Sequence, residues 1–546
     1  MKLANITIYG LMGALFMSSC SLDKEPYTSL TNESIEKTPG ALEALSLGNY
    51  HTLKSWVENW HRVTEYPGDN VALSGSTTDN LFYNYNYQRL VTNSRVNNYW
   101  SNSYKIIAGT NTVLQQVKEG TDDASNQIIA ESLYLRSLMY FYLVNVFGKP
   151  YNQNAETNLA VPIQAQENPF EIKPRNTVKE VYQRIEEDLL KAETLFNVNR
   201  GSIYGNKYAA QALLSRLYLY IGQNAKAIEY ANKVINSGEF SLLPTQDYSK
   251  IATAAPENNP ENIFAIKFVK DVDYSGNGWS TIGSMYANVD GSGWGEMYAS
   301  RTYLEEVRKY PEDVRYKFIK PVVVNENELH GYYVTDDYKY ASVILTQNGT
   351  DYTYSDGGAI KSLTKKSNGA GSFEYFITIA GKERSVLIDK KLDARNGYLK
   401  YYILKCSGQE GQAHLWSPVI SRLAEMYLIR AEANSKLGNQ QSALDDVNLI
   451  RSRAGIPAAG LWSLSNLGGK SVLDVVLAER KLELAWEGHR KFDVFRNGYT
   501  LNRMYPGTHI ANANSFLTIP SSSNVIVEYI PEQQITLSNG VLKQNE

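Results

Sequence analysis

Apolar positions recur at helical spacing in two separated blocks of the chain, and that pattern sets the first picture of the fold. In the first block, Tyr104–Val117 and Ile128–Phe147 predict a helix pair. The second of these is strongly apolar, through Leu133, Leu135, Leu138, Met139, Phe141 and Leu143. Thr177-Val-Lys-Glu180 has the form of a capping box and opens a helix running through Phe196. Lys207–Ile221 and Ala225–Ser237 predict another pair, broken at Gly222. The second block runs from Pro418 to roughly Phe495.

An internal repeat links the two blocks. Gly222-Gln-Asn-Ala-Lys-Ala227-Ile-Glu-Tyr-Ala231-Asn-Lys-Val234-Ile matches Gly438-Asn-Gln-Gln-Ser-Ala443-Leu-Asp-Asp-Val447-Asn-Leu-Ile450 at one constant offset. Each copy follows a helix rich in Ala, Leu and Tyr. A glycine closing one helix, with small residues early in the next so that the pair can approach closely, resembles the tetratricopeptide pattern. Two separated copies predict a helical scaffold interrupted by an insertion. That insertion, 250–415, is rich in Gly, Asp and Tyr and carries alternating runs. Ser342–Gln347 and Thr350–Tyr354 around Asn348-Gly349 predict a β-hairpin, and Glu374–Ile379 with Arg384–Ile388 around Gly381 a second. The final fifty residues lack strong periodicity and are expected to wrap the surface.

The first nineteen residues change the picture of where the chain works. Lys2 precedes a mostly apolar run, Leu11–Met17, then Ser18, Ser19 and Cys20. The run is shorter than the ~20 apolar residues of a membrane span and reads as a secretory signal. A cysteine at the cleavage point resembles the lipobox of bacterial lipoproteins, which implies lipid modification of Cys20. With Cys20 so used, Cys406 has no partner for a disulfide, since the chain has two cysteines. Of the 546 residues 43% are hydrophobic and 20% charged, enough for a large core, and the net charge of -3 gives no footprint for nucleic acid. Six scattered histidines offer no zinc spacing. Tyrosines number 40 against 15 phenylalanines, a bias toward rigid rings with polar tips.

Two constellations are candidates for chemistry. Glu479, Glu483 and Glu487 share a helix face, where two carboxyls could serve as the acid and base of a glycosidase. Arg451, Arg453, Arg480, Arg490 and Arg496 lie close in sequence, and such partners keep carboxylates ionised where a catalytic acid needs a raised pKa. An ion-pair network is the expectation, and no enzyme. Asp271-Val-Asp-Tyr-Ser-Gly276 begins like a calcium loop, but Ile282 stands where the bidentate glutamate belongs. The binding candidate is the aromatic cluster Tyr274, Trp279, Tyr286, Trp294, Tyr298 and Tyr303, punctuated by glycines and joined by the polar Asn277, Asn288 and Asp290. Rings stack on the apolar faces of sugars, while amides and carboxylates bond their hydroxyls. Packing of the same rings over the helical layer is the competing reading, least so for the glycine-flanked Trp279 and Trp294. A second candidate joins Asp69 and Asn70 to a stretch, 79–88, that if extended puts Tyr83, Tyr85 and Tyr87 on one face. Trp100 is expected in the core at a helix start.

Several stretches together resemble the SusD/RagB family of outer-membrane nutrient-binding lipoproteins. They are Leu135-Arg-Ser-Leu-Met-Tyr-Phe-Tyr-Leu-Val-Asn-Val-Phe-Gly148, Leu243–Tyr248 with Pro260–Phe264, Arg422–Ala433, Val447–Pro457 and Glu479–Asp493 with Arg496. The resemblance implies a mainly α fold, a helical scaffold with tetratricopeptide-like hairpins and a divergent, partly β-hairpin insertion carrying the ligand site. On it the chain divides into a signal peptide (1–19), a lipidated tether (20–40), an N-terminal helical part (41–249), the insertion (250–415) and a C-terminal helical part with tail (416–546), all one unit. It further implies a SusC-like TonB-dependent outer-membrane transporter as partner, a lipid-anchored place at the outer membrane, and a glycan ligand with no cofactor. Peptide capture, as in RagB-like relatives, is the alternative ligand, ahead of a glycoside hydrolase or a scaffold for partner helices.

Overall fold

The computed structural model describes residues 40–75, 79–164, 171–274, 278–368, 372–510 and 516–546. The signal segment, Cys20 and Asn277 lie outside them. The helical body begins with α1 (Ala41–Thr64), the short α2 (Leu81–Asn86), α3 (Ser94–Gln116) and α4 (Asp123–Phe147). It continues with α5 (Val178–Leu195), α6 (Lys207–Tyr220) and α7 (Asn224–Ile235). Short α8 (Ile282–Tyr286) and α9 (Arg301–Val307) lie in the middle of the chain. The body closes with α10 (Leu423–Lys436), α11 (Gln440–Arg453), α12 (Val472–Glu483) and α13 (Arg490–Arg496). The capping box at Thr177 and Glu180 is present. α3 starts ten residues before the expected point, because the Asn93 side chain accepts from the Arg95 and Val96 amides. Trp100 is therefore buried inside a helix rather than at its start.

Both copies of the repeat turn the same way. Gly222 and Gly438 take φ of +78° and +86°, and the amides of Gln223 and Asn439 reach back to the carbonyls of Tyr218 and Asn434. These are Schellman closures, which need a left-handed residue and so select glycine. Although distant in sequence, the two hairpins pack together through α7 and α10. Arg216 of α6 grips Glu425 of α10 through two bonds of 2.6 Å, both side chains buried. The tail does wrap this body: Glu528 bonds the Val146 carbonyl and Asn545 the Phe147 carbonyl at the end of α4.

Between the blocks the structure is more β-rich than the two expected hairpins. After the short strands β1 (Val71–Leu73), β2 (Asn262–Ala265), β3 (Met297–Ala299) and β4 (Ile319–Pro321), seven antiparallel strands form one sheet: β5 (Val323–Val334), β6 (Tyr340–Asn348), β7 (Asp351–Asp356), β8 (Ala359–Ser362), β9 (Thr364–Ser367), β10 (Phe373–Ile379) and β11 (Lys382–Leu392). Their spatial order is β8-β7-β6-β5-β11-β10-β9. The two edge strands are thus neighbours in sequence, separated by Leu363 alone, so the sheet must curl until its edges approach. Tyr352 and Tyr375 meet edge to face at 4.9 Å across that closure, over Leu345, Tyr354, Leu363, Ile377 and Val386. The expected hairpins are β6–β7 and β10–β11. The first turns on Gly349-Thr350 with Asn348 still paired to Asp351, one residue later than the Asn348-Gly349 expectation. The second turns on Ala380-Gly381, both at positive φ, the geometry of a type I′ turn. α9 ties the sheet to the body, Arg301 donating to the carbonyls of Tyr332 and Ser385. No helix among the described residues is long and apolar enough to cross a membrane.

Candidate ligand-binding site

The stretch from 278 to 299 is built to hold two tryptophans outward. α8 buries Ile282, Met285 and Tyr286, and a short strand, Met297–Ala299, pairs antiparallel with Val71–Leu73. These two anchors fix both ends of the intervening loop. The Val289↔Ser292 bridge pinches that loop around Asp290 and Gly291, both at positive φ. Gly293, at φ +95°, fits where any Cβ would lie 2.3 Å from the Ala287 carbonyl and 2.5 Å from His414 Nε2. Ser284 then ties the tryptophans together: its carbonyl accepts from the amides of Trp294 and Gly295, and its hydroxyl donates to the Trp279 carbonyl. Trp294 Nε1 donates to the same Trp279 carbonyl at 3.1 Å. The two indoles meet edge to face, centroids 5.0 Å apart, with Trp279 38% and Trp294 55% exposed. A fixed, water-facing ring pair forfeits burial energy and is the kind of exposed apolar patch that marks interaction.

The other members of the cluster divide. Tyr286 is wholly buried, its hydroxyl 2.7 Å from His61, whose pKa burial lowers to about 3 so that the ring stays neutral. Tyr298 is buried against Tyr402, and Tyr303 against Trp486, so these three are core residues and not ligand contacts as expected. Their rings fill the space between the loop and the helical body. Tyr274 is half-buried and donates its hydroxyl to the Ala413 carbonyl. Asn288 is half-buried, its amide donating to the Gly293 carbonyl, while Asp290 stands exposed at the turn.

The second candidate does not assemble. Residues 81–86 form α2 and not a strand, so the tyrosines share no extended face. Tyr85 is buried with its hydroxyl 2.7 Å from His509, while Tyr83 is only half-buried. Asp69 is buried and clamped by Arg490 at 2.7 and 3.0 Å, with Lys481 at 3.3 Å. Burial would raise its pKa, but these two cations hold it below the usual range. Asn70 is buried beside Glu65. Both residues position the 65–70 turn and cannot meet a ligand.

The glutamate string is an ion-pair network. Glu479 binds Arg315 at 2.6 Å and Arg451 at 3.0 Å; Glu483 binds Arg422 at 2.7 Å and Arg453 at 2.5 Å; Glu487 binds Arg422 and Lys405. Glu483 has no exposed surface, and against the upward push of burial the arginines hold its pKa well below the carboxylate range. Arg451 and Arg453 are partners as expected. Arg480 and Arg496 serve Asp493 and Glu432 instead, and Arg490 serves Asp69. Sequence proximity could not supply Arg315, Arg422 or Lys405, which arrive from a 3-10 helix, a short strand and a turn well before the glutamates in the chain.

The loop has a second wall that sequence reasoning missed. Gly295 packs on Tyr402, since an added Cβ would lie 3.0 Å from that ring, and Tyr398 packs on the same cluster. Arg395 reaches Glu296 at 3.0 Å, and Asn396 donates to the Ser74 carbonyl. Asn396-Gly397, both at positive φ between paired Arg395 and Tyr398, is a hairpin signal that was there to read. Nothing in the sequence placed it a hundred residues back against Glu296.

Comparison with known proteins bears on this architecture. Residues 260–545, more than half of the chain, match the model of the SusD family. Residues 22–219 match a model described as "Starch-binding associating with outer membrane". SusD-like protein P38 of Formosa agariphila is 24% identical over 530 residues, covering 92% of this chain and 93% of its own. The starch-binding protein SusD of Bacteroides thetaiotaomicron is 26% identical over 419 residues, 72% of this chain and 68% of that one. Among solved structures, a SusD superfamily protein from Bacteroides thetaiotaomicron superposes with a TM-score of 0.72 at 24% identity, covering 92% of this chain and 99% of that one. A putative sugar-binding protein from Bacteroides vulgatus gives 0.68 at 23% identity, over 93% and 98%. The helical body, the inserted sheet and these matches agree: the chain belongs to the SusD family.

Proposed function

We propose that this protein binds a glycan at the Trp279–Trp294 pair and works as a non-catalytic capture protein at the outer membrane, anchored through Cys20 and passing its ligand to a SusC-like TonB-dependent transporter. The observation that carries the reading is the pair itself, two indoles packed edge to face and turned to solvent, with Trp294 and Ser284 both donating to the Trp279 carbonyl. Sugar rings present flat C–H faces that stack on such platforms. Each stacked ring contributes ~0.5–1.5 kcal/mol if it behaves like an aromatic pair. Millimolar binding corresponds to about -4 kcal/mol, so hydrogen bonds and repeated engagement of a polymer must add to the rings. Weak capture suits onward delivery. Turnover is disfavoured because the best carboxylates, Glu479, Glu483 and Glu487, are buried and held by arginine and lysine.

Retention on polysaccharide in native affinity gels tests the ligand. The Trp279→Ala and Trp294→Ala variants are expected to lose retention at unchanged melting temperature. Equal retention in both removes the site. For the anchor, Cys20→Ala is expected to move the protein from the membrane fraction to the soluble fraction. Its remaining in the membrane refutes lipidation there.

A further inference from the structure

The two exposed tryptophans rest on one buried ring. Each is preceded by a glycine, and both glycines pack against His414, which has no exposed surface. A Cβ at Gly278 would lie 2.9 Å from the His414 Cβ, and one at Gly293 would lie 2.5 Å from its Nε2. Within α8, a Cβ at Gly283 would lie 3.1 Å from the His414 Cα. Nε2 sits 2.8 Å from the Ser292 carbonyl, and Nδ1 sits 3.2 Å from the Ser407 hydroxyl. A carbonyl takes only a donor, so Nε2 carries the proton and Nδ1 accepts from Ser407. The backbone under the ring takes a left-handed φ of +63°, uncommon outside glycine. The neighbouring Ala413 carbonyl accepts from the Tyr274 hydroxyl, which ties this segment to the chain leading into the platform.

We infer that His414 is the positioning residue of the tryptophan platform, the wedge on which the 287–296 loop closes; the ligand it serves rests on the glycan reading above. The closed loop holds the ring neutral. Among the described residues no carboxylate pairs with either nitrogen, which face a hydroxyl and a carbonyl. Tyr274 and Tyr286 are engaged by the Ala413 carbonyl and by His61, while Glu296 and Lys405 are paired with Arg395 and Glu487. Asp290 and Glu410 are exposed, and Cys406 is a thiol that burial keeps neutral. Burial accordingly lowers the His414 pKa, against an upward pull from the Ser292 and Gly283 backbone. When the loop opens, the ring meets water and titrates near its ordinary value of about 6.5, so acid favours the open loop. The closed loop is fully favoured above that pH and loses ground as pH falls through it.

Hydrogen exchange reads closure directly, because the Trp294 and Gly295 amides both donate to the Ser284 carbonyl. From pH 7.5 to pH 5.5 their protection, corrected for intrinsic exchange, is expected to fall severalfold, toward a limit of about tenfold for one such proton. His414→Gln keeps a donor near the Nε2 position and does not titrate, so its protection is expected to stay level. Any share from His61 is common to parent and variant. His414→Ala is expected to lower protection at both pH values and to lose polysaccharide retention as Trp294→Ala does. Matching pH dependence in the parent and His414→Gln, or full protection in His414→Ala, overturns the role of His414. Retention that survives Trp279→Ala and Trp294→Ala removes the glycan reading instead, and the exchange data still decide the wedge.

Discussion

At the scale of single residues, environment and not residue type separates rings that face solvent from rings that pack the core. Trp294 and Tyr298 lie four positions apart in one aromatic, glycine-rich run, yet the first is 55% exposed and the second 1%. What sets them apart is the antiparallel pairing of Tyr298 with Ala72, a contact between chain segments over two hundred residues apart. Glycine flanks on Trp279 and Trp294 were the readable signal, because a backbone free of Cβ can bring rings out while turning sharply. Gly293 bears the heaviest demand of this kind. Gly293→Ala is expected to destabilise the fold by about 1–3 kcal/mol, from left-handed strain plus the clash with the Ala287 carbonyl. Its polysaccharide retention should fall too, and urea denaturation with affinity gels checks both. Glu483 gives the opposite case, a carboxylate wholly buried within an arginine network. Glu483→Gln removes one buried counter-charge that Arg422 and Arg453 share, leaving Glu261 and Glu487 to balance them, for an expected loss of about 3–5 kcal/mol. A loss under 1 kcal/mol would show that the network contributes little.

At the scale of elements, the long helices were legible where one face is apolar and a cap marks the start. α5 shows this, with its capping box and regular buried positions Val181, Ile185, Leu189 and Ala192. α1 escaped because its buried face mixes Trp56 and Trp60 with Asn49, Asn59, His61 and Arg62, so no apolar stripe stands out. α2 was misread because Tyr83-Asn-Tyr-Asn-Tyr87 alternates like a strand. Its Asn84 is held by contacts to Glu528 and Asn93 that local pattern cannot show. In the sheet, β8 and β9 are exposed throughout and carry no apolar alternation, so only the strands of the inner hairpins were visible. The matching turns of the repeat invite a paired test. Gly222→Ala and Gly438→Ala each meet open space but keep a positive φ, so each is expected to cost ~1–2 kcal/mol by strain alone. The two losses should add, since the turns share no partner. A cost near zero at either site would mean that the closure relaxes to another shape.

At the scale of the whole molecule, buried ionisable groups make stability depend on pH in a definite direction. Burial pushes the pKa values of His61, His489 and His509 down, so below the ordinary histidine value the unfolded chain binds protons that the folded chain refuses. Stability from these groups is present above about pH 6.5 and is lost as pH falls through it. The carboxylates Asp69, Glu432, Glu483 and Glu487, held down by their cations against burial, add a further loss below the usual carboxylate range. Glu65 works the other way. Burial raises its pKa to about 7, against the amides of Gly488 and Trp486, so its stabilising share is complete below 4.5 and lost as pH rises through 7. His414 is pushed down like the other histidines, and Glu131 and Asp446 are pushed up by burial like Glu65; with the four held-down carboxylates added, the urea midpoint is expected to fall from pH 7 to pH 4. A midpoint that is flat or rising over that range would contradict the assignment. Of these groups His61 and His414 reach the tryptophan stretch, through the Tyr286 hydroxyl at 2.7 Å and the Ser292 carbonyl at 2.8 Å, while the buried carboxylates pair with arginine and lysine elsewhere, so the proposed binding surface and the ionic core can be perturbed separately.

The most direct test of the central claim joins the two tryptophans in one experiment. Isothermal titration of a retained polysaccharide into the parent chain and into the Trp279→Ala/Trp294→Ala double variant, with melting curves for each, measures what the platform contributes. The platform account predicts at least about a tenfold loss of affinity, the ~1.4 kcal/mol expected of two stacking rings, with the melting temperature unchanged. Full affinity in the double variant would contradict it.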